Sequence, residues 1–303
     1  MVAKTRRNLE SSSSAGGNLL RWSVERRLAF IEERLFWLGE INRGDLAAAF
    51  GVSPSQASAD IARYLELQPP GLAYDKSAKR YIAGGGFRPV LAPPDTARFL
   101  GELRLAGLGL LPADATLLGA AAPFDAGPLP ERRIDPYVLR AVVAAIRGGH
   151  ALALTYQSMS RAAPGRRIVA PKALAFDGFR WHARAFDCEA EAFRDFVLGR
   201  MRKPRPAPEA PPAPARDPDW ERFVDLVIAP HSGLTPAQAR AIALDYGITR
   251  GRAKIRVRRA LLFYALKRLG LDVPPDTRPP HEQHVVLVNR PEIDALKAPP
   301  PET

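Results

Sequence analysis

The sequence predicts a multidomain α+β chain: an N-terminal winged helix-turn-helix, a small central all-β barrel or sandwich, and a C-terminal α+β domain. Three observations predict it. Residues 21–83 carry three amphipathic helical stripes and then a hairpin pattern. Residues 151–201 carry a succession of short strands separated by turns. Residues 223–288 mix strand and helix patterns, and glycine- and proline-rich joints separate the three parts. The boundaries read as an unstructured arm 1–20, a helix-turn-helix with wing 21–88, a helical and irregular connector 89–134, a central β segment 135–203, a proline-rich linker 204–218 and a C-terminal domain 219–303.

The chain has 303 residues, a formal charge of +12 and an isoelectric point near 10.2. An excess of that size points to a polyanionic partner, with nucleic acid first. The single cysteine, Cys188, excludes an internal disulfide and any multi-cysteine zinc site, and fits a reducing cytoplasm. The first residues (MVAKTRRNLESSSSAGGN) are basic without a following apolar core, so they read as an arm rather than a secretory signal. The apolar run 105–123 is interrupted by Pro112 and Asp114, which argues against a membrane span.

In the first segment, Val24, Leu28, Ile31, Leu35 and Leu38 recur at helical spacing, and Gly39 is placed to end that helix. Residues 42–50 supply a short second helix. Gly51-Val52-Ser53 turns, and Ser53-Pro54-Ser55-Gln56 starts a third helix: Ser at the N-cap, Pro at the first helical position, Gln three residues on. Its inner stripe is Ala57, Ile61, Tyr64 and Leu65. Its outer face carries Ser55, Gln56, Ala59, Ala62, Arg63 and Glu66, with Ser53 and Ser58 beside it. Small residues next to an amide and an arginine suit a helix seated in a major groove. Gln56 cannot both close the capping box and read a base. The hairpin 72–82 places Lys76, Lys79 and Arg80 at its tip, a wing able to touch phosphates. The DNA-binding set is therefore Ser53, Ser55, Gln56, Ser58, Arg63, Lys76, Lys79 and Arg80. The Gly84-Gly85-Gly86 triplet lacks a following Gly-Lys-Ser and reads as a hinge, not a phosphate loop.

In the second segment, Asp135-Pro136 opens a helix over 135–147. Strands follow at 151–157, 166–171, 173–176, 179–186 and 193–201. Strand alternation puts Phe179, Trp181, Ala183 and Ala185 on one face, expected to pack the interior, and Arg180, His182 and Arg184 on the other. Arg200 and the pair Tyr156 and Ser158 are expected to join that basic face in an anion-binding cleft. The plainer alternative is a solvated face whose arginines pair with Asp177, Asp187 and Asp195. In the third segment, strands are expected at 223–229 and 284–288. Thr235-Pro236-Ala237-Gln238 starts a helix to about Tyr246, and Leu261, Leu262, Ala265 and Leu269 mark another. The run GRAKIRVRR (251–259) is basic without one acid and fits either a ligand channel or a solvated face.

The runs TYQSMS, IVAPKALAFDGFRWHARAF and FRDFVLGRM (155–160, 168–186 and 193–201) together resemble a WYL domain, an Sm-like β-barrel module of bacterial transcription regulators. The tripeptide Trp181-His182-Ala183 stands where that family has Trp-Tyr-Leu, a departure at two positions. The wider pattern resembles the BrxR/CapW group, repressors associated with phage-defence islands, and the resemblance extends to residues 21–83 and to the third segment. It implies an Sm-like central barrel that senses a nucleotide or nucleic acid, and a C-terminal WCX domain that makes dimer contacts. The function expected is a cytoplasmic homodimeric repressor on an inverted-repeat DNA operator, released by an anionic effector, without cofactor, metal or membrane partner. An accessory nucleic-acid-binding role beside a defence effector is the alternative. An enzyme is disfavoured: no carboxylate cluster stands on a strand, and His281-Glu282-Gln283-His284 lacks an evident third ligand.

Overall fold

The computed structural model describes residues 7–111, 124–125, 127, 130, 132–210 and 212–296, with side chains from residue 23 onward. Contacts divide the chain into two units, residues 1–130 and 131–303. The predicted central and C-terminal segments thus share one unit. Among the described residues no helix is long and apolar enough to cross a membrane.

The first unit runs α1 (Arg7–Leu38), β1 (Glu40–Ile41), α2 (Arg43–Phe50), α3 (Pro54–Leu65), β2 (Leu72–Asp75), β3 (Arg80–Ala83) and α4 (Thr96–Gly107). Helix α1 begins at Arg7, so residues 7–20 are helical where an arm was expected; residues 1–6 lie outside the described residues. Extending a helix from an already formed turn adds one hydrogen bond per residue ordered, which is why weak formers can follow a strong C-terminal half. The stripe on α1 buries Leu28, Ile31 and Leu35 against Leu46 of α2 and Ala57, Ile61 and Tyr64 of α3. Each buried leucine or isoleucine among them contributes about 1.5–3 kcal/mol.

Helix α2 is closed by a capping box between Asn42 and Asp45 and ends on Gly51 at φ 64°. Ser53 caps α3 through the Gln56 amide, with Pro54 at the first position. The wing is a sheet of order β1-β3-β2, in which Asp75 faces Arg80. Beyond it, Gly84-Gly85-Gly86 is a bonded turn, with Gly84 N donating to Gly71 O and Phe87 N to Gly84 O, and it delivers Phe87 into the core. A Cβ on Gly71 would lie 2.3 Å from the Gly86 backbone, and Gly71 stands at φ +74°. Both facts require glycine. Asp95 caps α4, the helical part of the connector, while most of the following connector falls outside the described residues.

The second unit opens with α5 (Pro136–Gly148), capped by Asp135, and a five-stranded antiparallel sheet: β4 (Leu152–Tyr156), β5 (Gly165–Phe176), β6 (Trp181–Asp187), β7 (Ala192–Val197) and β8 (Met201–Pro206) in the order β7-β6-β5-β4-β8. The strands expected at 166–171 and 173–176 are one strand with a bulge between Pro171 and Ala173. The strand expected at 193–201 is broken by a 3-10 turn at Leu198–Arg200. Residues 204–206, assigned to the linker, extend β8: Arg205 and Pro206 pair with β4, and the register shift before them takes up Pro204. No ladder joins β7 to β8 among the described residues, so the expected barrel is not closed by main-chain pairing. The sheet is nevertheless strongly curled. Four residue steps from Val197 to Met201 reach at most about 14 Å, whereas the edges of a flat five-stranded sheet lie about 19 Å apart. Tyr156 of β4 bridges the curl: its hydroxyl accepts from Val197 N of β7 at 3.1 Å, and its ring meets Phe196 edge-on. Helix α5 covers the sheet with Val138, Val142 and Ala145.

The rest of the unit comprises α6 (Pro218–Glu221), β9 (Phe223–Pro230), α7 (Pro236–Asp245), β10 (Ala253–Arg258), α8 (Leu262–Arg268), β11 (Val285–Leu287) and α9 (Arg290–Asp294). Its antiparallel sheet has the order β10-β9-β11. The basic run 251–259 is largely the edge strand β10. Ile255 and Val257 pack against the core, while Arg256 and Arg258 lie over the Phe223 ring, each 4.6 Å from its centroid.

Candidate DNA-binding face and ligand cavity

In the first unit, the outer face of α3 is as expected: Ser55, Gln56, Ala59, Ala62, Arg63 and Glu66 are exposed, and Ala57, Ile61 and Tyr64 are buried. Asp60, on the inner side, receives Arg27 Nε of α1 at 2.6 Å and Gln56 Nε2 at 3.1 Å. Gln56 therefore does not close the capping box; its amide N–H points to Asp60 and its carbonyl oxygen is left for an outside donor. Ser53 and Ser55 share a hydrogen bond at 3.0 Å, and Ser58 donates back to Pro54 O at 2.9 Å. At the wing, Lys76 and Lys79 are exposed. Arg80 is tied to Glu40 of β1 at 2.5 Å, because the unforeseen third strand brings that carboxylate alongside. A groove of about 360 Å³ lies between the start of α2, Pro54 and the wing tip, and it brings Arg43 and Lys79 together. Arg43 was missed by sequence reasoning. Its signal was its place at the first position after the Asn42 cap, where backbone N–H groups favour an anion.

In the second unit, the turn Asp177-Gly178 precedes β6. Asp177 Oδ1 accepts from the amides of Phe179 and Arg180, and Gly178 stands at φ +99°. The strand starts at Trp181, and Phe179 and Trp181 are exposed, at 59% and 47%, instead of packing the interior. Ala183 and Ala185 do enter the core. The opposite face is buried too. His182 donates from Nε2 to Asp177 Oδ2 at 2.9 Å, lies against the Tyr264 ring, and has no protein partner on its buried Nδ1. Arg180 Nε reaches Asp177 Oδ2 at 3.2 Å. Burial alone would push the Asp177 carboxyl up, but hydrogen bonds from His182 and from the amides and side chain around Arg180 hold it down at about 2.

Arg184 donates from Nε to Asp217 Oδ2 at 2.7 Å and from NH2 to Asp217 Oδ1 at 3.3 Å. Its NH1 reaches Asp195 Oδ1 at 3.4 Å. Burial alone would lower the Arg184 pKa, and the bonds and charges of Asp217 and Asp195 more than offset it. Asp195 is pushed up by burial, against the pull of Arg184. It also accepts from the Tyr264 hydroxyl at 3.2 Å. Of the pairings in the plainer alternative, those with Asp177 and Asp195 form, whereas Asp187 faces Arg167 instead, at 4.0 Å.

A cavity of about 660 Å³ lies where the five-stranded sheet meets α8. Of the six residues expected to form the cleft, Tyr156, Ser158 and Arg184 line it, while Arg180, His182 and Arg200 do not. Arg167, Arg194, Arg259, Phe193 and Tyr264 line it as well, together with Asp187, Asp195, Asp219 and Asp272. The site is thus a charge-balanced chamber with aromatic walls, not a bare basic cleft. Asp219 and Arg259, joined at 2.9 Å, come from the C-terminal segment, and no local pattern in the sequence tied them to β6. No group of three or more His, Cys, Asp or Glu side chains placed to hold a metal occurs among the described residues.

Three family models match the chain: the BrxR transcriptional regulator winged helix-turn-helix domain over residues 23–105, the WYL domain over 137–206, and the BrxR transcriptional regulator C-terminal dimerization domain over 223–293. Similar curated proteins include the DNA-binding transcriptional repressor CapW of Stenotrophomonas maltophilia, 37% identical over 92% of this chain and 94% of its own. The CapW repressors of Pseudomonas aeruginosa and Escherichia coli (strain KTE188) are 36% and 34% identical, each over 95% of this chain and 96% of its own. A solved structure, proteasome accessory factor B/C of Arthrobacter aurescens, is 19% identical over 90% of this chain, which spans 48% of that one, with a TM-score of 0.25, too low to bear on the fold. Domain models in this order, with relatives matched nearly end to end, place the chain in the BrxR/CapW family of WYL-domain transcriptional regulators.

Proposed function

We propose that this protein is a DNA-binding transcriptional repressor that acts as a homodimer on an inverted repeat. The observation that carries it is the exposed outer face of α3 beside a wing with Lys76 and Lys79 at its tip, in a chain whose relatives are named as repressors. In this reading Ser53, Ser55, Gln56 and Arg63 face base edges and the phosphates flanking them, and Ser58, Lys76, Lys79 and Arg80 position the backbone. The C-terminal domain joins two copies so that two half-sites are held at fixed spacing. The central sheet serves as an Sm-like half-barrel, and the cavity at its edge takes an anionic nucleotide or the end of a nucleic acid. Its arginines supply forks for phosphate, and Phe193 and Tyr264 supply ring faces. Binding there releases the operator, and the regulated genes are those of a phage-defence operon in the cytoplasm.

The test is a titration of the full-length protein against a fragment from upstream of its own gene and against a random duplex of equal length, with and without short 5′-phosphorylated oligonucleotides. The reading expects the upstream fragment to bind at least a hundredfold tighter and the oligonucleotide to weaken it. Equal affinity for both duplexes refutes the repressor reading and favours an accessory nucleic-acid-binding role.

A further inference from the structure

The anion-binding fork of the cavity is already filled by the protein itself. Arg184 is 6% exposed, and Asp217 meets two of its nitrogens in the parallel geometry a phosphate or carboxylate ligand would use. Asp219 adds a contact at 3.9 Å and bridges to Arg259 of the cavity wall. The two groups of counter-ions are mounted differently. Asp195 lies on β7 within the five-stranded sheet, braced by Tyr264. Asp217 is the N-cap of the four-residue turn α6 and Asp219 lies within it, at the end of the proline-rich stretch 204–218. That turn is held by no strand ladder but by side-chain contacts: Asp217 accepts from the Asp219 and Trp220 amides, Arg216 and Arg259 pair with Glu221 and Asp219, and Arg258 lies over the Trp220 ring and donates to Trp220 O. The same segment leads directly into β9, the central strand of the C-terminal sheet.

We propose that Asp217 is an internal counter-ion that must leave Arg184 before an external anion can bind, and that α6 is the latch whose release carries occupancy of the cavity to the C-terminal domain. The proposal rests on the reading of the cavity as a ligand site. An external anion sees only the fraction of molecules with the fork open, so its apparent affinity is its intrinsic affinity reduced by that fraction. Neutralising Asp217 without removing its cap raises that fraction. Asparagine is the substitution to use, because its side-chain oxygen can still accept the Asp219 and Trp220 amides.

The experiment titrates inorganic pyrophosphate into the full-length protein without DNA, by calorimetry at fixed ionic strength, for wild type, Asp217→Asn and the double variant Asp217→Asn with Arg184→Lys. Asp217→Asn is expected to bind pyrophosphate at least tenfold tighter than wild type, and the double variant to lose that gain because lysine lacks the fork. Hydrogen exchange of the 217–222 amides in wild type is expected to speed up when pyrophosphate is added. Asp217→Asn binding no tighter than wild type, or no binding by either, overturns the latch. If Asp217→Asn proves unfolded by circular dichroism, Asp219→Asn carries the same test, with an expected gain of about threefold and no gain as the refuting result. Operator release is scored in a separate anisotropy titration of the same three proteins with the upstream DNA fragment: tighter anion binding without release refutes the switch reading and leaves the latch standing, whereas release without any gain in Asp217→Asn does the reverse.

Discussion

Replacing Asp60 by alanine tests the joint between α3 and the rest of the winged helix. Asp60 and Arg27 form a pair whose side chains are 3% and 10% exposed, with Arg27 Nε at 2.6 Å and NH2 at 3.3 Å from the two carboxylate oxygens. Removing the carboxylate leaves a guanidinium buried between α1 and α3 without its counter-charge, which costs about 3–5 kcal/mol. It also frees Gln56, whose amide is held by Asp60. The chain has two units, so a single melting temperature would mix them. Native-state hydrogen exchange read on peptides covering Ile61 and Tyr64 isolates the first unit. Protection there is expected to fall by about a hundredfold to a few thousandfold, since 1.4 kcal/mol is a factor of ten. The double replacement Arg27→Met with Asp60→Leu removes both charges at similar volume and is expected to restore most of that protection. Single variants that each cost less than about 1 kcal/mol, or a double variant no better than the singles, would refute the reasoning.

Three further outcomes are expected. Glu32 is buried and its carboxylate accepts from the Tyr64 hydroxyl and from the amides of Val90, Leu91 and Ala92. Glu32→Gln should cost about 2 kcal/mol or more and loosen residues 88–95 in hydrogen exchange, because a neutral amide is a weaker acceptor for that cluster. Asp177 is held at about 2 against an ordinary value of 3.8. Its contribution to stability is therefore fully present above about pH 4 and is lost as the pH falls toward 2, so Asp177→Asn should flatten the acid limb of a stability profile of the second unit. At the DNA face, Lys76→Ala should weaken all sequences alike and reduce the salt slope by about one, whereas Arg63→Ala should relax sequence choice at a cost of about 1–3 kcal/mol, both read by fluorescence anisotropy across salt.

Local grammar was legible wherever one stretch of chain decides its own conformation. The caps at Ser53-Pro54, Asp135-Pro136 and Thr235-Pro236 all start helices where they were read, because the cap is satisfied within three residues. The stripes on α1 and α3 identified the core of the first unit and, by subtraction, its outward face. Strand limits were less legible. At 193–201 the apolar pattern runs on through a 3-10 turn, and at 204–206 proline composition masked an edge strand that a bulge makes tolerable.

The candidate ligand site marks the limit of reading along the chain. Alternation correctly separated Ala183 and Ala185 from His182 and Arg184, since period two is a property of the strand alone. It did not show that both faces are covered, because what covers the second face, Tyr264 and Asp217, lies 82 and 33 residues away from the side chains it meets. The sequence by itself determined the order of domains, the helix-turn-helix with its wing, and the residues that can carry positive charge. Only the tertiary structure decided which of those charges are free, because a charge is neutralised by whatever packing brings within a few ångströms, and no spacing in the chain encodes that distance.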